Sequence, residues 1–148
     1  MFRWWFTVCA AVVVCTGCTT HLEQPRISGA VMTPNQLNPG DAALVTVQVH
    51  DPYGIVEKVE GQVLEDTTVD FNFNDLGQEG DEVARDGIWT MKVEAPFNAP
   101  PGNFTFEISA YDSQGNLLVV LDENKEAVPR STEVQLKIVF PEMTPETE

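Results

Sequence analysis

In WTMKVEAPFNAPPGNFTFEISAYDSQGN, residues 89–116, two alternating apolar runs are separated by a proline–glycine break and followed by a polar turn. Trp89, Met91 and Val93 alternate with Thr90, Lys92 and Glu94. A period of two marks a strand with one buried face, whereas a helix needs apolar residues three and four apart. Pro100, Pro101 and Gly102 then interrupt the strand, since proline brings no N–H to a ladder and glycine reaches conformations other residues avoid. The chain resumes with Phe104, Phe106, Ile108 and Ala110 on one side, and Asp112-Ser113-Gln114-Gly115-Asn116 reads as a hairpin turn.

The same reading extends in both directions. ALVTVQVH (43–50) sets Val45, Val47 and Val49 against Thr46, Gln48 and His50, and VDFNFN (69–74) turns Val69, Phe71 and Phe73 inward. VQLKIVF (134–140) keeps Leu136, Ile138 and Phe140 in register. PRISGAVMTP (25–34) and LLVVL (117–121) supply two more strands, and the β-branched content of IVEKVEGQVL (55–64) favours strand over helix. TPNQLNPGD (33–41), Asp51-Pro52-Tyr53-Gly54 and the polar DENKEAVPRS (122–131) separate them as turns and loops. Seven or eight short strands with turn signals every 8 to 12 residues predict an all-β fold, an antiparallel β-sandwich over residues 26–140. Within this pattern, GDEVARDGIWTMKVEAPFNAPPGNFTFEISAYDSQGN (80–116) resembles bacterial immunoglobulin-like domains of the cadherin or fibronectin type III shape. Phe104 stands where those domains often carry Tyr, so the hydrogen bond of a tyrosine corner is missing from that side chain.

The amino-terminal segment is of another kind. Met1, Phe2 and Arg3 precede an apolar run from Trp4 to Cys15, which ends in Thr16, Gly17 and Cys18. A charged start, a short apolar middle and a small-residue exit form the pattern of a cleaved, helical export signal over residues 1–17. The run falls short of the roughly 20 apolar residues that span a bilayer. Cys15-Thr16-Gly17-Cys18 resembles the lipobox of bacterial lipoproteins, although Cys15 stands where that family usually has Leu. The resemblance implies cleavage between Gly17 and Cys18, a diacylglyceryl thioether on Cys18 and acylation, such as palmitoylation, of its freed amine. Two or three acyl chains anchor a protein stably where one does not. The implied location is the cell envelope, with residues 18–25 as a tether and 141–148 as a flexible tail. Thr19 is not the Asp that favours retention at an inner membrane, so in a two-membrane envelope the outer membrane is expected.

Charge excludes some partners. The 148 residues carry 8 Lys and Arg against 23 Asp and Glu, a net charge of −15. Such a surface repels phosphate, so nucleic acid is not an expected partner. The only cysteine after residue 17 is Cys18, which leaves no internal disulfide in the exported part. The partners that the lipobox resemblance implies are the membrane, through the lipid on Cys18, and an envelope protein.

The densest polar group is NDLGQEGDEVARDG (74–87), with Asp75, Glu79, Asp81, Glu82 and Asp86 among three glycines. Calcium takes six to eight oxygen ligands, mostly carboxylates and carbonyls, so calcium is the candidate cofactor and Asp75, Asp81 and Asp86 are its candidate ligands. The other reading is a solvated loop whose acids serve its turns. Asp70-x-Asn72-x-Asn74 opens like an EF-hand loop, but Asp75 and Asp81 stand where that loop needs Gly and Glu. The histidines are His21 and His50, too few for a zinc site, and no catalytic residues are assigned. A non-enzymatic, lipid-anchored protein with a binding or assembly role is the expected function. A calcium-dependent binding module is the alternative, and a small hydrolase built on His50 and Asp51 or on paired carboxylates is a further one.

Overall fold

The computed structural model describes residues 23–122, 124 and 126–140. The signal segment, Cys18 and the tail 141–148 lie outside the described residues, as does most of the tether. Every helix or strand among the described residues is a strand: β1 (Arg26–Thr33), β2 (Gln36–Leu37), β3 (Ala42–His50), β4 (Lys58–Val63), β5 (Asp66–Asn72), β6 (Ile88–Glu94), β7 (Gly102–Tyr111), β8 (Val119–Leu121), β9 (Ala127–Pro129) and β10 (Ser131–Ile138). They form a three-stranded sheet in the order β1-β3-β6, a five-stranded sheet in the order β2-β10-β7-β4-β5, and a ribbon of β8 and β9.

The strand count exceeds seven or eight because two short elements fall where turn and loop chemistry dominates the sequence. β2 sits inside TPNQLNPGD, and β9 lies within the polar DENKEAVPRS. β2 also departs from an all-antiparallel scheme. It runs parallel to β10, pairing Gln36 with Lys137 and Leu37 with Ile138. A two-residue strand has too few side chains to show a period, so only its partner defines it.

Alternation places the core. Val45, Val47 and Val49 of β3 are buried, as are Met91 and Val93 of β6, Val59 and Val63 of β4, Phe106, Ile108 and Ala110 of β7, and Leu136 and Ile138 of β10. One apolar cluster draws on both large sheets and takes in Leu37 of β2. Fully burying a Val or Leu side chain is worth about 1.5–3 kcal/mol, so these positions dominate the stability. Alternation fails at two places. Thr90, on the polar side of β6, is buried at 1% exposure, and Phe140, expected in register with Leu136 and Ile138, lies past the end of β10 and is 55% exposed. On β5, Val69 and Phe71 face inward as expected and pack against the core, though each is only half-buried. β5 and β6 each lie at the edge of a large sheet.

Candidate functional site

The site begins where β5 leaves its sheet. Phe73 still donates its N–H to Val59 of β4 (3.0 Å), but Asn74 has crossed to β6. Its N–H donates to the Thr90 carbonyl (2.9 Å), and the Thr90 N–H donates to the Asn74 carbonyl (2.8 Å). This bridge pins both ends of the loop between residues 74 and 90. The loop also passes over the buried Thr90 side chain, whose Cγ2 would lie 3.6 Å from a Cβ added at Gly80.

Within the loop, the carboxylates organise the backbone. Asp75 accepts from the N–H groups of Asp86 (3.2 Å) and Gly87 (3.1 Å), and its carbonyl accepts from Arg85 (3.2 Å). Asp81 accepts from Gly77 (2.6 Å) and Val83 (3.3 Å), and Asp86 accepts from Ile88 (2.8 Å). Short side chains with two acceptor oxygens are suited to such local bonds, which compete with regular structure. Gly87 is indispensable to the closure. Its φ is +83°, and a Cβ there would lie 2.8 Å from the Val49 carbonyl oxygen. The Gly87 carbonyl meanwhile accepts the Val49 N–H at 2.8 Å.

The loop brings Asp75, Asp81 and Asp86 together, one carboxylate oxygen from each lying within 4.8 Å of the others. Asp81 is buried, Asp75 half-buried and Asp86 exposed. These three can hold a metal ion, and they are the three singled out in the sequence. Glu79 and Glu82 of the same loop are exposed and stand outside the cluster. Carboxylates this close repel one another, and a bound cation would cancel that repulsion.

Beside the cluster, an open cleft of about 780 Å³ gathers His50, Asp51, Glu57, Asp75, Asp86 and Trp89. His50 does not use Asp51 as a partner. Its Nε2 lies 3.0 Å from Oε1 of Glu23, while Asp51 accepts from the N–H groups of Val56 (2.8 Å) and Tyr53 (3.4 Å). Glu57 and Trp89 join the cleft because the end of β3, the turn after it and the loop 74–87 meet at one end of the molecule. No local sequence signal marks that meeting.

These features define an all-β protein of several sheets with a three-aspartate cluster on one inter-strand loop. No protein-family model matches the chain, and no curated protein matches it. Among solved structures, the chain is similar to an endo-β-1,4-mannanase from Thermotoga petrophila, with a TM-score of 0.52 and 14% identity over 82% of this chain. The match spans 21% of the mannanase chain, so the likeness is one of fold to a part of that enzyme. The GspB Siglec domain gives 0.47 at 17% identity, covering 85% of this chain and 62% of that one. A Niemann-Pick type C2 protein from Japanese carpenter ant gives 0.44 at 12% identity, covering 79% of this chain and 94% of that one.

Proposed function

We propose that the chain is a lipid-anchored protein of the bacterial cell envelope, outer membrane in a two-membrane envelope, whose immunoglobulin-like β-sandwich acts by binding and not by catalysis. The observation that carries the binding reading is the unequal size of the sheets. Three strands share a core with five, and the apolar side chains Val69 and Phe71 on the outermost strand of the larger sheet pack against that core without being fully buried. Apolar surface left uncovered on a folded domain is a recurrent mark of interaction sites. Anchoring follows from Cys15-Thr16-Gly17-Cys18. Mass spectrometry of protein from its native host tests it: the expected product starts at Cys18 and carries a diacylglyceryl thioether. A bare Cys18, or residues 1–17 still attached, would overturn the anchor.

The aspartate cluster supports a second element of the same reading, a calcium ion that orders the loop. Calcium–oxygen distances are about 2.3–2.6 Å, so oxygens on opposite sides of one ion lie about 5 Å apart. The three carboxylate oxygens, within 4.8 Å of one another, satisfy that limit. Waters and carbonyls would complete the coordination. Millimolar calcium should raise Tm by several degrees, reversibly with EDTA, and Asp86→Asn should remove the effect while keeping an oxygen for the Ile88 N–H. An unchanged Tm across a calcium titration would dispose of the metal.

A further inference from the structure

β6 ends the three-stranded sheet and β5 ends the five-stranded one. The strands touch at the Asn74–Thr90 bridge and carry no further ladder between them. Because both backbone groups of Thr90 point at Asn74 and strand geometry repeats every two residues, those of Lys92 and Glu94 point the same way, into the gap. The same rule applies across it. Phe73 bonds back to β4 and Asn74 bonds forward to β6, so Asn72 and Asp70 present their backbone groups to the gap from the other side.

The gap has both room and apolar lining. A space of about 510 Å³ lies among Asp70, Phe71, Asn72, Asn74, Met91 and Lys92. Phe71 also lines an apolar groove of about 250 Å³, together with Val69, Val93, Phe104 and Phe106. Phe71 stacks on Phe106 at a centroid distance of 5.4 Å, so the floor of the groove is held in place.

We propose that this gap receives one extended segment of a partner protein, which extends the three-stranded sheet by pairing with β6 at Lys92 and Glu94. Alternate side chains of the segment are apolar and cover Val69, Phe71 and Phe104; the intervening ones are Lys or Arg. The proposal deepens the binding reading above and rests on it. The cationic character follows from charge. Asp66 and Glu94 line the groove and Asp70 and Glu79 the space beside it, while the one cation there, Lys92, is already 3.0 Å from Glu94. A second copy of this chain would bring the same acids to the same edge, so self-pairing is disfavoured. Strand addition takes its affinity from main-chain bonds and its specificity from pockets for alternate side chains.

Hydrogen exchange on the full-length protein in detergent micelles tests this. A short peptide alternating Val and Lys should slow exchange of the Lys92 and Glu94 amides by about tenfold or more. A Val and Glu peptide should not, and N-methylation of the Val and Lys peptide should abolish the effect. Asp70→Asn combined with Glu94→Gln should weaken binding about tenfold. Lys92→Pro removes the N–H facing the gap while leaving the β3 ladder its donors, and should abolish binding in protein whose melting curve shows it folded. Equal binding of both charged peptides, or protection confined to β1, overturns the proposal. So does protection of Lys92 and Glu94 without peptide, whether it grows with protein concentration (a second copy) or is independent of it (the chain's own residues in the gap). None of these readouts depends on Cys18, so loss of the lipid anchor and loss of the docking edge are separately visible.

Discussion

Single residues at this site carry opposing requirements. Gly87 combines a left-handed backbone with close approach to the Val49 carbonyl, so Gly87→Ala faces both conformational strain and a collision. It should lower unfolding stability by about 2 kcal/mol, read from urea melts. Gly115 has a positive φ but open space around it, and Gly115→Ala should cost less than half as much. In the core, Ile108 is fully buried in the middle strand of the five-stranded sheet. Ile108→Ala should cost about 3 kcal/mol through lost burial and the cavity left behind. The residues of the aspartate cluster differ among themselves. Asp81→Ala strips two loop N–H groups of their acceptor, whereas Asp86→Asn chiefly removes charge. Comparing those two variants with and without calcium separates the loop's fold from its affinity for a cation.

At the scale of elements, turns closed by carboxylates make the molecule sensitive to acid. The Thr105 N–H, donated from β7 at 2.8 Å, holds the Glu65 carboxyl below its ordinary value. The Thr68 hydroxyl does the same for Asp66, the Asn116 side chain for Asp112 and the Glu126 N–H for Asp122. A depressed folded value means that the unfolded chain binds more protons over that range, so stability rises with pH there. The contribution is complete above the ordinary carboxylate range, about pH 4, and is lost as pH falls through the lower folded values. Thermal melts between pH 2 and 7 should therefore show Tm falling below about pH 4. Glu65→Gln and Asp112→Asn together should flatten that fall, and an unaltered profile would show that these bonds do not couple to folding. The strands differ in a complementary way. The valines of β3 alternate cleanly because a central strand is packed along its whole inner face, while β5 alternates in sequence but is half-covered in space.

For the whole molecule, charge and topology set the behaviour. A net charge of −15 opposes compaction, and added monovalent salt should raise Tm at neutral pH by screening that repulsion. A melt insensitive to salt would mean that the acids are far enough apart to act independently. The strand content, the inward residues of β3, β6, β7 and β10, and the identity of the three converging aspartates were all legible in the sequence. A period of two is a local property, and glycine with aspartate marks a tight loop whatever surrounds it. Thr90 and Phe140 read wrongly on the same rule, because the cover over each depends on segments that are neighbours only in space. The parallel β2–β10 pair, the placing of His50 beside Glu23 instead of Asp51, and the gap between β5 and β6 likewise came from long-range pairing alone. Extended backbone and the alternation of faces were readable along the chain, since both are set by sequence neighbours. Where each sheet stops was not, because sheet width depends on which distant segments find hydrogen-bond partners.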